Sequence, residues 1–193
     1  MTTTDQVATR REAQARRLPA GFVAVGDYVV RAHNIVSINL DHTGVAGGPV
    51  SVDIALDDSC KGQTFSSRWD YEVDARGEYD HVLREIERIV GDSDPLVWLQ
   101  GDRHVRASAI RSVSLHPHTN AEESYYELYV TLDRTGNGWI DKSRHYTRLG
   151  EAEAARDIVL QRIGTALERI ERSERSFAAS FRRGLMRPPS VRH

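Results

Sequence analysis

Residues 26–40 read GDYVVRAHNIVSINL, and residues 101–115 read GDRHVRASAIRSVSL. The two stretches are identical at eight of fifteen positions without a gap, at an offset of 75 residues. Because even a common residue type fills only about one position in fifteen, unrelated stretches should share roughly one identity. The pair therefore indicates an internal duplication, which should organise the rest of the chain.

The match continues toward the C-terminus of each copy. Residues 50–56 and 126–132 both alternate apolar with polar side chains, at an offset of 76, and such alternation is typical of a half-buried strand. The apolar positions at 82–86 and 159–163 match at an offset of 77. Small insertions in loops would produce this drift, because loops tolerate them well.

Each copy predicts the same series of elements. A short strand (22–25 or 96–100) leads through a turn at Gly26 or Gly101 into a second strand. The alternation then breaks at an Ile-x-Ser sequence, which predicts a bulge or tight turn. A long strand, a hairpin, one more strand and a closing helix follow. In the first copy the helical spacing of apolar residues runs from 79 to 90, and Gly91 should end the helix.

The expected fold class is α+β, with two tandem related units. Each unit is expected to be an antiparallel sheet of about four to five strands closed by a C-terminal helix, and the second helix should be extended over 151–183. We further expect an approximate two-fold relation between the units, since duplicated units often mimic a homodimer. The predicted organisation is a basic N-terminal extension (1–20), unit 1 (21–91), a linker (92–95), unit 2 (96–168) and a basic amphipathic C-terminal extension (169–193).

The charge of the chain is distributed unevenly. The formal net charge of −2 combines about +2 in residues 1–20, −9 in residues 21–168 and +5 in residues 169–193. An acidic body with basic arms is a pattern that often marks interaction tails. No signal-peptide pattern or long apolar run occurs, so we expect no membrane segment, and the single Cys60 excludes an intramolecular disulfide.

The stretch DRTGNGWIDKSR, Asp133 to Arg144, resembles a calcium-binding EF-hand loop. Position 12 of such a loop needs a bidentate Glu, and here it is Arg144. The flanking sequence predicts strands where an EF-hand has helices. At an offset of 76 the stretch aligns with DDSCKGQTFSSR, residues 57–68, which shares only the first Asp, a Thr or Ser, the Gly and the final Ser-Arg. We therefore interpret it as a strand–turn–strand connection that binds no calcium.

Other candidate sites are weaker. His116 and His118 could share one face of a strand and bind a metal together with Glu122 or Glu123, but a solvated Pro-containing loop is the simpler interpretation. Cys60 is expected to be an ordinary exposed cysteine. The three tryptophans, Trp69, Trp98 and Trp139, are expected to pack in the core rather than to stack on bases. No catalytic sequence pattern occurs, so neither catalytic residues nor a cofactor is expected.

The C-terminal extension is the better candidate for a functional surface. Its aromatic residues are spaced one helical turn apart among arginines, as in a docking helix. The residues concerned are Arg172, Arg175, Phe177, Phe181, Arg182 and Arg183. They could contact a protein partner, a second copy, the protein's own body or nucleic acid, or they could simply be solvated.

The expected function is that of a non-enzymatic protein–protein interaction or assembly protein, in which the terminal extensions make the contacts. A bacterial cytoplasmic adaptor and a bacteriophage structural or accessory component, located in the virion, both fit this description. The alternative is a nucleic-acid-binding protein that uses the basic arms. An enzymatic function would need a polar cleft between the two units.

Overall fold

The structure is a computed structural model of the chain. It describes residues 18–42, 48–57, 60, 63–99, 101–119, 124–132, 139–140 and 145–185, with the side chains of all but 139–140 and 181–185. The protein is a mixed α+β structure with antiparallel sheets and a C-terminal helix. The sequence prediction is confirmed at this level.

The described residues of the first half form five strands and one α-helix. Their bounds are β1 Phe22–Val25, β2 Tyr28–Arg31, β3 Ile35–His42, β4 Val50–Leu56, β5 Thr64–Trp69 and α1 Glu72–Val90. β4 alternates buried and half-buried residues along its whole length, because Val, Ile or Leu occupies every second position. α1 begins earlier than the apolar spacing predicted, with acidic Glu72 and Asp74 in its first turn, and it ends at Gly91 as expected.

The second half repeats this order of elements. Their bounds are β6 Leu96–Trp98, β7 Arg103–Arg106, β8 Ile110–Thr119, β9 Ser124–Leu132, β10 Trp139–Ile140 and α2 Leu149–Leu185. A 3-10 turn joins β7 to β8 at Ala107–Ala109, as one at Ala32–Asn34 joins β2 to β3. α2 has 37 residues, which gives a length of about 55 Å, so the predicted long helix over 151–183 is confirmed with small extensions.

The strands form three antiparallel sheets in the described part of the chain. Their orders are β1-β2, β10-β9-β8 and β5-β4-β3-β7-β6. The register shifts between Ile35 and Ser37 in β3, and between Ile110 and Ser112 in β8. The irregularity predicted at both Ile-x-Ser sequences is therefore present.

The partition of strands among the sheets differs from the prediction. We expected each unit to keep its strands in its own sheet, but the β6–β7 hairpin of the second half joins the sheet of the first half. The pairing runs between β7 and β3, with Ser37 opposite Val105 and Asn39 opposite Arg103. Hydrophobic alternation shows which residues lie in a strand but not which edge that strand will meet.

Two hydrophobic cores result from this arrangement. The first lies among β1 to β5 and α1, and the second lies among β6 to β9 and α2. β3 contributes to both, because Ile38 is buried in the first core and Val36 in the second. The β6–β7 hairpin is likewise shared, since Val105 packs in the second core while Tyr79 of α1 lies beside His104.

The contact between β3 and the β6–β7 hairpin is termed here the internal junction. Besides the β-ladder, the Leu40 amide donates a hydrogen bond to the Asp102 carbonyl at 2.9 Å. Arg106 is only 2% exposed, and its guanidinium donates to the carbonyls of Ile35, Ala32 and Asp94 at 2.8, 2.6 and 2.7 Å. Arg76 of α1 adds a bidentate ion pair with the Asp102 carboxylate.

The junction is not reciprocal. A two-fold relation between the halves would pair β2 with β8 in the same way that β7 pairs with β3. Among the described residues β2 pairs only with β1, and β8 pairs only with β9. The expected approximate two-fold relation is therefore wrong, because the β6–β7 hairpin pairs with a strand of the other half and the β1–β2 hairpin does not.

Candidate interaction surfaces

α2 is anchored to the body along its first two-thirds. Ala152, Val159 and Ala166 are buried in the second core. Arg162 donates a hydrogen bond to the Leu99 carbonyl at 2.7 Å, and Arg169 forms an ion pair with Asp92 at 2.6 Å. Among the side chains of this helix that the structure describes, Ile170 is the last to pack against the core.

Residues 171–185 continue the helix beyond this anchored part and are termed here the α2 extension. Phe177 is 75% exposed, yet it lies seven residues after Ile170 and so continues the stripe that faces the body lower down. Arg172 is exposed, and Arg175 is paired with Glu171 at 3.0 Å. The helix therefore carries a large apolar side chain, flanked by arginines, into solvent.

The predicted site residues are accounted for only in part. The structure places Arg172, Arg175 and Phe177 on the α2 extension, within one helical segment as expected. Phe181, Arg182 and Arg183 belong to the same helix, but their side chains lie outside the described residues.

A shallow groove of about 410 Å³ runs between α2 and the edge strand β6. Trp98 lies in it with 46% of its surface exposed, and the Arg162 guanidinium stacks 4.0 Å from the centre of the indole ring. The expected core packing is wrong for Trp98, because β6 is the last strand of its sheet. Trp69 does pack against the first core, and the side chain of Trp139 lies outside the described residues.

The outer face of β8 and β9 carries a cluster of histidines and tyrosines. The predicted loop at His116–His118 is wrong, because this segment belongs to β8, where His118 lies opposite Tyr125. The two histidines do share one face, as the alternative metal-site interpretation required. The imidazole of His116 lies against Tyr129, with ring centres 4.2 Å apart.

The centre of this cluster is Glu127, which the sequence did not single out. It is 8% exposed although it lies on the outer face of the sheet. Its carboxylate lies 2.9 Å from His118 Nε2 and 3.5 Å from His145 Nε2, and it accepts a hydrogen bond from the Tyr129 hydroxyl at 3.1 Å. Tyr125 stacks on both imidazoles, with ring centres at 5.0 and 4.2 Å. These histidine and tyrosine side chains shield the Glu127 carboxylate from solvent, and the carboxylate holds them together as their shared polar partner.

The described residues hold no group of three or more histidine, cysteine or carboxylate side chains arranged to bind a metal ion. Glu122 and Glu123, the further ligands considered from the sequence, lie outside them. So does most of the Asp133–Arg144 stretch, of which only the Trp139–Ile140 backbone is described, as β10 paired with β9. The N-terminal extension is described only from residue 18.

Cys60 differs from its predicted exposure. Its side chain is half-buried against the first core, and its Sγ accepts a hydrogen bond from Asn34 Nδ2 at 3.1 Å. Asn34 ends the 3-10 turn that leads into β3. The contact ties the β4–β5 connection to that turn, which indicates a structural role for the thiol.

The contact between α1 and β7 contains a titratable pair. The Tyr79 hydroxyl and His104 Nδ1 are 2.6 Å apart, a distance that suits a neutral imidazole accepting the hydroxyl proton. Burial lowers the pKa of His104, and the nearby Asp102 carboxylate opposes this shift. Burial also raises the pKa of Tyr79. Both groups are therefore held neutral at the internal junction.

This pair predicts a loss of stability in mild acid. Because the folded-state pKa of His104 lies below its unfolded value of about 6.5, the unfolded chain binds more protons below that pH. The free energy of unfolding should fall as the pH decreases from about 6.5, with a contribution of at most about 1.4 kcal/mol per pH unit. Urea denaturation at several pH values would measure it. His104→Gln should reduce the slope, and an unchanged slope would exclude His104 as its source.

Comparisons of the chain with protein-family models, with curated proteins and with solved structures found no match. Neither of the described helices is apolar enough over a sufficient length to cross a membrane.

Proposed function

We propose that this is a non-enzymatic interaction and assembly protein, and that the α2 extension is its principal contact surface. The observation that carries the proposal is the position of Phe177, which continues the apolar stripe of α2 beyond the body and remains 75% exposed there. An amphipathic helix that docks in a groove uses such a stripe as its anchor. Large apolar side chains at the centre of interfaces often contribute most of the binding energy.

The body supplies the scaffold, and we propose that it consists of two tandem related units, residues 21–91 and 96–168. Three features support the duplication besides the sequence identity. The two halves have the same order of elements, the same register shift at Ile-x-Ser, and the same turn glycine, with φ of 56° at Gly26 and 58° at Gly101. Each helix packs on the sheet that precedes it.

The charges of the described α2 extension favour a protein partner over nucleic acid. Arg175 is already paired with Glu171 on the same helix, and Arg169 at its base is paired with Asp92. Nucleic-acid binding derives most of its affinity from cations that are free to neutralise phosphates. An Arg-flanked aromatic residue suits a protein groove with an acidic rim.

The proposal predicts that Phe177→Asp abolishes partner binding without unfolding the protein. Replacing a central apolar anchor with a charge should weaken binding by at least about 30-fold, because such anchors contribute about 2 kcal/mol or more. The melting temperature should be unchanged, since the side chain is exposed. Capture from host lysate followed by mass spectrometry would compare the proteins bound by wild type and by the variant.

The matched control is Val73→Asp. Val73 is 77% exposed on α1, so this variant introduces the same charge at an equally exposed apolar site outside the α2 extension. It should retain every partner that wild type binds. Equal binding by wild type and Phe177→Asp would overturn the role assigned to the α2 extension.

The alternative function is nucleic-acid binding through the basic arms. It is favoured by the charge of residues 169–193, with seven arginines and two glutamates. Binding of this kind would fall steeply with salt, and Arg172→Glu, which removes two units of positive charge from the arm, would weaken it more than Phe177→Asp, which removes one. A low-salt gel shift without any complex would exclude it.

We propose that the protein acts in the bacterial cytoplasm as an adaptor, or in a virion as a bacteriophage component.

A further inference from the structure

The repeat and the internal junction together leave two strand edges without their counterpart partners. β7 pairs with β6 on one edge and with β3 on the other. Its counterpart β2 pairs only with β1 among the described residues, and β8, the counterpart of β3, pairs only with β9. Exposed strand edges are templates for pairing with another chain. The chain therefore presents both halves of a second junction.

The burial of the counterpart residues points the same way. In the internal junction Ile35 is fully buried and Ser37 is 7% exposed. Their counterparts Ile110 and Ser112 are half-buried and exposed. In β2, Tyr28 and Val29 are 42% and 45% exposed, although one side of the Tyr28 ring lies against Phe65, with ring centres 4.5 Å apart. Ile110 and Ser112 have the same place in the repeat as Ile35 and Ser37, but in the described part of the chain only the β3 edge is covered by another strand.

Arg31 shows the clearest difference from its counterpart in the other half. Its counterpart Arg106 is buried and donates hydrogen bonds to three backbone carbonyls, of which Ile35 and Ala32 belong to the other half. Arg31 occupies the same place at the end of β2 and is exposed, with its guanidinium 5.5 Å from the centre of the Phe22 ring. The carbonyls that correspond to those of Ile35 and Ala32 belong to Ile110 and Ala107.

We propose that β2 of one copy pairs with β8 of a second copy and so repeats the internal junction between molecules. Arg31 then donates to the Ile110 and Ala107 carbonyls of the neighbouring copy. The expected register follows from the repeat offset. The opposed residues are Val30 with Ser112, Val29 with Val113, and Tyr28 with Ser114. A contact between two different surfaces is heterologous, so it builds an open chain or a ring of copies rather than a closed two-fold dimer.

The occupant of these edges is a second copy because the fold already contains the same contact. A hairpin with the same sequence pattern already occupies the β3 edge in every molecule, with ladder pairing, a buried arginine and shared core residues. This inference extends the proposed assembly function by naming one partner. It uses a surface separate from the α2 extension, so Phe177→Asp and the edge variants test the two proposals independently.

The first test uses two variants that each block one edge. Arg31→Asp places a carboxylate against the carbonyls on the β2 side, and Ser112→Lys places a charge where the counterpart Ser37 is buried. Sedimentation of wild type should show species larger than a monomer that grow with concentration. Each variant should raise the dissociation constant about 100-fold or more, because Arg31→Asp removes a charged donor from the junction and Ser112→Lys buries an unpaired charge there. Both side chains are exposed in the single chain, so melting temperatures should match wild type at a concentration at which wild type is monomeric.

A mixture of the two variants gives the sharpest outcome. Each retains the edge that the other has lost, so a head-to-tail junction predicts a 1:1 heterodimer and nothing larger. Matched controls on the edge strand β5 are Arg68→Asp and Ser66→Lys, both at exposed positions, and they should assemble like wild type. Amide exchange at 28–30 and 112–114 should be slower in assembled wild type than in Arg31→Asp. A wild-type monomer at all concentrations, or a mixture that stays monomeric, would overturn the proposal.

Discussion

Arg106→Ala is expected to lower the free energy of unfolding by about 3–5 kcal/mol, because it removes charge-assisted hydrogen bonds from two buried carbonyls and one partly buried carbonyl. The guanidinium is 2% exposed, and its acceptors Ile35, Ala32 and Asp94 lie within 2.8 Å. Burial lowers the pKa of Arg106, and the Asp94 carboxylate opposes this shift. Chemical denaturation followed by circular dichroism would measure the loss.

The arginine at the matching sequence position of the first half, Arg31, provides the control for this substitution. Arg31→Ala changes the counterpart arginine, which is exposed and lies over the Phe22 ring. Its cost to a single chain should be within about 0.5–1 kcal/mol, measured at a concentration at which the protein is monomeric. A loss for Arg106→Ala as small as the one expected for Arg31→Ala would show that the internal junction does not depend on Arg106. A selective loss would identify this arginine as the residue that holds the crossed hairpin in place.

The local structure was predictable because it depends on neighbours in sequence. β4 alternates in burial because its apolar residues alternate, and α1 ends at Gly91 because a residue with φ of 57° favours glycine. The register shift at Ile35 was likewise visible as a break in alternation. In each case a few adjacent side chains contain the information.

The pairing of distant strands was not predictable in this way. Nothing in β7 itself distinguishes an edge that meets β3 from one that meets β8, because both targets have the Ile-x-Ser-x-x-Leu pattern. Only the assembled structure shows that the hairpin joins the first sheet. Arg106 is identical to Arg31 in the sequence repeat, yet it is buried while Arg31 is exposed. The position of a side chain relative to the other half decides its burial.

The α2 extension and the Glu127 cluster show the same difference between local features, which were predictable, and long-range contacts, which were not. The spacing of Phe177 after Ile170 was visible in the sequence, whereas its exposure depends on where the body ends and so required the structure. Glu127 was overlooked because its alternation with Leu128 predicts an ordinary outward-facing polar residue. Its burial comes from His118 and His145, which belong to different segments of the chain. A contact of this kind leaves no periodic signal.

Gly26→Ala is expected to lower the free energy of unfolding by about 2–5 kcal/mol, from two separate causes. The φ of 56° is unfavourable for alanine by about 1–2 kcal/mol. A Cβ at this position would also lie 2.6 Å from Ser67 Oγ and 2.9 Å from its Cβ, and relief of such overlap costs about 1–3 kcal/mol. The turn cannot shift freely, because the Gly26 amide donates to the buried Glu78 carboxylate at 2.7 Å. Urea denaturation of the two proteins would measure the difference.

Gly101→Ala separates these two causes. Gly101 has nearly the same φ, 58°, but an added Cβ would meet nothing within 4 Å. Its substitution should therefore cost only the conformational part, about 1–2 kcal/mol. A double-mutant cycle with Ser67→Gly should recover the remaining loss in the Gly26→Ala protein and none in the Gly101→Ala protein. Equal losses at both glycines would mean that β5 moves away from the first hairpin at little cost. In that case the β1–β2 hairpin would pack loosely against β5 of the five-stranded sheet. The hairpin could then not hold its β2 edge in a fixed position for a neighbouring copy.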